Sequence, residues 1–159
     1  MHSLRTSGSA LALLLAGCAS IGEPAPWALE RSNPGPLPPP AAGTFSRVVR
    51  VPAGSEFVYF TGQTGTRPDG TTPAAIEEQV ELALENVAAL LAAHGMDASH
   101  VVKVTFYQTD RATDRERMRA AWTRMFGATP PATTLLFVQG LARPEYKFEI
   151  DVVAARPAR

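Results

Sequence analysis

Glu149 is the residue of this 159-residue chain most able to do acid–base chemistry. It sits in Tyr146-Lys-Phe-Glu-Ile-Asp-Val-Val153, a run in which residues 148, 150, 152 and 153 are apolar. Alternation along a strand places Tyr146, Phe148, Ile150 and Val152 on one face and Lys147, Glu149 and Asp151 on the other. A carboxylate on a strand inside a cleft can orient a water, take its proton and return it to a leaving amine. The same pattern also fits an amphipathic edge strand with a solvated polar face, so residue types alone leave both readings open.

Other chemistries find less support. His94 and His100 are six residues apart across an expected helix end, with only Asp97 nearby, so no metal is expected. Gly62-Gln-Thr-Gly65 has no following Gly-Lys-Ser/Thr and lies between a strand and a loop, which excludes a phosphate loop. No Ser-His-Asp order can be assembled, and no cofactor is called for. Cys18 is the single cysteine, so an intramolecular disulfide is impossible. The formal net charge is zero, and loss of Arg5 with a leader leaves one excess acidic group. Nothing in that balance points to nucleic acid.

These residues need elements to hold them. Thr44 to Arg159 suffices for one compact domain. Ser46–Pro52 and Phe57–Gln63 have strand composition around a Pro-Ala-Gly-Ser turn and predict a β-hairpin. Thr72-Pro73 predicts a helix start, with Ile76, Val80, Ala83, Leu84, Val87, Leu90 and Leu91 inward, Glu77, Glu78, Glu81 and Glu85 outward, and Gly95 closing it. Val101–Thr109 alternates as a strand. Thr113-Asp-Arg-Glu116 predicts a capping box for a second helix ending at Gly127. Thr133–Gln139 and Tyr146–Ala154 predict a closing strand, short turn and strand. The order is ββαβαββ, an α+β domain with two helices on one face of a sheet.

The chain ahead of residue 44 divides in two. Residues 1–17 have a weakly basic start and an apolar core from Ala10 to Ala16 that is too short to span a bilayer, as in a bacterial signal peptide. Leu15-Ala16-Gly17-Cys18 resembles the lipobox of bacterial lipoproteins, which makes Cys18 the expected lipidation site and the membrane an expected partner. Ala19 rather than aspartate after it favours the periplasmic face of the outer membrane. Residues 18–43, rich in Pro, Ala and Gly, are expected to form a semi-rigid tether reaching roughly 75 Å, with Trp27 loosely held.

A series of short pieces resembles the RidA (YjgF) family. They are Thr44-Phe-Ser46, Phe60-Thr-Gly-Gln63, Glu78-Gln-Val80, Leu84-Glu-Asn86-Val87, Val102-Lys-Val-Thr105, Pro131-Ala132 and Phe148-Glu149-Ile150. The resemblance spans residues 44 to 156. It implies a chorismate-mutase-like α+β fold, assembled as a homotrimeric barrel with ligand clefts between adjacent subunits. It also implies hydrolysis of enamine and imine intermediates to 2-keto acids and ammonia. Residue by residue, Glu149 matches the family glutamate that orients water. Phe45 replaces an aromatic that is usually tyrosine, Ser46 and Gly62 match cleft positions, and Leu135 replaces a common cysteine. Thr133 falls where the best-known branch has an arginine that grips the substrate carboxylate. A threonine has no charge and one donor, which argues against 2-imino acids as substrates. Two functions follow: a divergent imine or enamine deaminase-like hydrolase, or a non-catalytic small-ligand-binding or scaffold module in the cell envelope. The family's older endoribonuclease label finds no basic groove or paired catalytic histidines here.

Overall fold

A computed structural model describes residues 26–158; the expected signal peptide and Cys18 lie outside the described residues. Its main sheet has four strands, β3 (Ser55–Thr64), β4 (Val101–Gln108), β5 (Ala132–Phe137) and β6 (Phe148–Pro157), in the spatial order β3-β6-β4-β5. Helices α1 (Ile76–Ala93) and α2 (Arg115–Phe126) cover one face. This is the α+β architecture expected, with mixed pairing: β4 and β5 are parallel, and β6 is antiparallel to both β3 and β4.

The core follows from the alternation of β6. Phe148, Ile150, Val152 and Ala154 are fully buried against Val101 and Val104 of β4 and the inward stripe of α1. Burial of such side chains stabilises by about 1.5–3 kcal/mol each. Phe106 of β4 packs edge-on against Trp122 of α2, which in turn contacts Phe126. Among the described residues the other face of the sheet carries no helix and exposes Phe57 and Tyr59, the latter 76% accessible.

Several connections differ from the sequence expectation. The predicted N-terminal hairpin does not form. A short β2 (Val48–Arg50) pairs instead with β1 (Glu30–Ser32), and β3 pairs with β6. Strand β1 lies in the stretch expected to be a free tether. Leu29 is buried, the Trp27 indole N–H donates to Ser55 Oγ at 2.9 Å and its ring stacks on His100, and Arg31 donates to the carbonyls of Ser99 and Val101. The closing strands are not a hairpin either. The segment after β5 passes to the far side of β4, so that β5 stays an edge strand while β6, apolar on one whole face, takes an interior position.

The helix starts also move. Helix α1 begins at Ile76, because Thr72 Oγ1 bonds Thr66 Oγ1 and the Pro73 carbonyl accepts from the Gln79 side chain. At α2 the cap is Asp114, accepting from the Arg117 N–H at 2.9 Å, because Thr113 is held by Glu77. Glu77 itself is buried rather than outward-facing. Gly95 and Gly127 do close the two helices, each at positive φ.

Candidate functional site

Glu149 stands on the helix-free face of β6, between Thr64 of β3 and Tyr107 of β4. Across from it, β3 bulges: Thr61 and Gly62 together oppose the single residue Asp151 between the pairs Phe60–Val152 and Gln63–Ile150. Bulges re-aim the backbone beside functional groups. Here the bulge brings Gly62 onto the carboxylate, so closely that a Cβ at residue 62 would lie 1.9 Å from Glu149 Oε1. Only glycine leaves Glu149 its place.

The Glu149 side chain makes no hydrogen bond among the described residues. Burial raises its pKa, and the nearby Asp151 charge raises it further. Asp151 accepts from the Tyr107 hydroxyl at 3.1 Å, and that bond raises the tyrosine pKa. The result is a half-buried carboxylate with unfilled acceptors and enhanced basicity, which is what a water-activating base requires.

Two side chains missed as positioning groups hold this region in place. Fully buried Gln79 donates to the Pro73 and Glu145 carbonyls at 2.7 and 2.9 Å and accepts from the Lys147 N–H, fixing the approach to β6 onto α1. Asn86 donates to the Thr64 and Thr66 carbonyls, fixing the end of β3 to the same helix. Their signal was present as polar residues on a helix otherwise patterned for burial.

The remaining candidates gather elsewhere. Ser46 is buried, with its hydroxyl on the Pro130 carbonyl at 2.6 Å and its N–H on the Pro131 carbonyl. Phe45 is partly exposed beside it, and both line a cavity of about 170 Å³ with Arg31, Asn33 and Pro130. Thr133 follows at the start of β5, its hydroxyl on the Pro131 carbonyl at 3.2 Å. Thr133 pairs with Val104 on the helix-covered side, three positions along the sheet from the Glu149–Tyr107 row and across β4. That separates the two backbones by about 14 Å and sets the residues on opposite faces. One chain therefore joins Gly62 with Glu149, and Phe45 and Ser46 with the Pro130–Thr133 turn, but does not bring the two groups together. Arg31, in that second group, is already committed through Nη2 to two carbonyls, and its buried Nε has no partner.

A family model described as Endoribonuclease L-PSP matches residues 37–156, which contain Phe45, Ser46, Gly62, Thr133 and Glu149. The chain belongs to this family. Among its relatives, Protein DfrA of Myxococcus xanthus is 36% identical over 118 residues, covering 73% of this chain and 88% of its own. The 2-iminobutanoate/2-iminopropanoate deaminase of Mus musculus is 29% identical over 120 residues, covering 74% of this chain and 85% of that enzyme. The crystal structure of E. coli TdcF with bound serine is similar at a TM-score of 0.57 and 30% identity, over 79% of this chain and 94% of that one.

Proposed function

We propose that the protein is a RidA-family hydrolase of small imines or enamines in which Glu149 orients and deprotonates water. The single observation that carries this reading is the Glu149 carboxylate against Gly62, with unfilled acceptors and a raised pKa. In the reaction, Glu149 takes a proton from water as the water oxygen attacks the imine carbon. It delivers that proton to nitrogen to give the carbinolamine, then takes the carbinolamine hydroxyl proton and passes it to nitrogen as the C–N bond breaks, leaving a carbonyl compound and ammonia. The deaminase name of the mouse relative and the serine in TdcF support a small nitrogen-bearing ligand.

The working unit of this proposal is a homotrimer with clefts between subunits. The uncovered sheet face, with exposed Phe57 and Tyr59, favours a partner surface. The two separated residue groups favour a cleft in which one copy supplies Gly62 and Glu149 and the next supplies Phe45, Ser46 and Thr133. Thr133 in place of a guanidinium directs this cleft away from 2-imino acids, since an unpaired substrate carboxylate loses several kcal/mol of binding. We further propose that the mature chain is lipidated at Cys18 and faces the periplasm from the outer membrane.

A second reading, a non-catalytic ligand-binding or scaffold module, draws on the same Thr133. Turnover of 2-aminoacrylate and 2-iminobutanoate generated in situ separates them, using the full chain with Cys18→Ala, alone and combined with Thr133→Arg or Glu149→Ala. The proposal expects weak native turnover, a gain with Thr133→Arg and loss from that background with Glu149→Ala. Turnover that survives Glu149→Ala would remove the assigned base, and inactivity of every variant would favour the binding module.

A further inference from the structure

A second cavity lies on the opposite side of the sheet from Glu149. It occupies about 500 Å³ between α1, α2 and the β4–β5 edge, within the range of ligand sites. Val80, Leu84 and Trp122 form its walls, and Phe106, Phe148 and Leu135 its floor. A smaller cavity of about 300 Å³ adjoins it, sharing Gln108, Arg115, Met118 and Leu135.

The polar groups concentrate at that junction. Gln108 is only 5% exposed, yet its side-chain amide makes no hydrogen bond among the described residues. The amide atoms are not sealed in the core but open into both cavities, where their free donor and acceptor positions can be filled by water or by a polar ligand head. Arg115 lines both cavities; Arg119 borders the larger and Arg111 the smaller. None of these three arginines forms an ion pair among the described residues, and Arg111 rests over the Phe137 ring. Among the described residues, Glu116 is the one carboxylate lining either cavity. The surplus is therefore cationic, at the rim of an apolar groove.

We propose that this groove binds a medium-chain aliphatic carboxylate, a fatty acid. The tail fills the larger cavity against Trp122 and Phe148. The carboxylate sits at the junction, accepting from the Gln108 amide and from the Arg115 guanidinium, with Arg119 and Arg111 adding to the field. Charge complementarity selects an anionic head, and the apolar walls of Val80, Leu84, Phe106, Trp122 and Phe148 select an apolar tail. The site does not involve Glu149, which is on the other face of the sheet, but it borders the Phe45–Thr133 side of the proposed cleft, with Leu135 two positions along the same face of β5 from Thr133.

Trp122 reports occupancy directly. Decanoate titrated into the full chain carrying Cys18→Ala and Trp27→Phe should shift Trp122 emission saturably, below the concentration at which decanoate aggregates. Decanol, with the same tail and no charge, should bind at least about tenfold more weakly. Arg115→Glu, an exposed substitution, should weaken decanoate about tenfold and leave decanol unchanged. Gln108→Leu should also favour decanol over decanoate. Calorimetry with Trp27 retained checks that the indole substitution does not create the site. Equal affinity for acid and alcohol, indifference to Arg115→Glu, or no saturable binding because a second copy fills the groove would each overturn the proposal.

Discussion

Replacing Glu77 by glutamine should destabilise the domain in a way that disappears with acid. Glu77 Oε1 accepts from the backbone N–H groups of Asp114 and Thr113 at 2.9 and 2.8 Å and from the Thr113 hydroxyl at 3.0 Å. A carboxylate of α1 thus caps the N-terminus of α2, where the helix dipole also favours negative charge. The Asp114 N–H is the largest of the contributions that lower its pKa from 4.5 to about 2. At 1.36 kcal/mol per pKa unit, that difference corresponds to about 3 kcal/mol of stability from the ionised form. Linkage fixes the sign: a depressed folded pKa stabilises above the unfolded value near 4.5 and is lost as pH falls through 2. A glutamine keeps one acceptor, so Glu77→Gln should cost about 2 kcal/mol at pH 7. Urea denaturation followed by circular dichroism at one fixed protein concentration, from pH 7 to pH 2.5, measures this. The gap between the two proteins should hold down to about pH 5 and then close. A gap that is independent of pH, or smaller than about 0.5 kcal/mol at pH 7, would refute the capping argument.

Gly65→Ala should be among the most disruptive single-methyl additions in the chain. A Cβ there lies 2.3 Å from Gln79 Cα and 2.4 Å from its carbonyl oxygen, so α1 must shift off the end of β3; thermal melting should show a loss of at least about 2 kcal/mol, and an unchanged Tm would contradict the contact. Glu149→Gln should do the reverse at neutral pH. A raised folded pKa means that Glu149 favours the folded state below its unfolded pKa and that this benefit is lost as pH rises through the folded value. The neutral variant should therefore melt at a higher temperature than the parent at pH 7 and lose that advantage near pH 4; a lower Tm at pH 7 would show that the carboxylate is satisfied.

The β6 alternation was legible because its two faces have different solvents, and Phe148, Ile150 and Val152 are buried as the pattern requires. Strand partners were not legible. Sequence adjacency suggested hairpins at both ends of the domain, whereas pairing followed which strand could bury a whole face. Helix starts moved where a distant side chain took the capping group, as Glu77 took Thr113. The candidate residues were found one by one, but their division between two ends of the sheet depends on register, which composition does not encode. Gly62 was legible as a cleft position only through the family resemblance; its approach to Glu149 depends on the bulge, which the sequence does not encode.

The docking of Trp27 and strand β1 has a consequence for distance. Cys18 is nine residues from Trp27. Even fully extended, that length of chain covers only about 30 Å, less than half the reach the whole proline-rich stretch would have if free. A lipid on Cys18 would thus hold the domain near the bilayer surface on a short leash. The Trp27–His100 corner would stay nearest the headgroups, and any exchange of ligands would have to take place within that narrow layer.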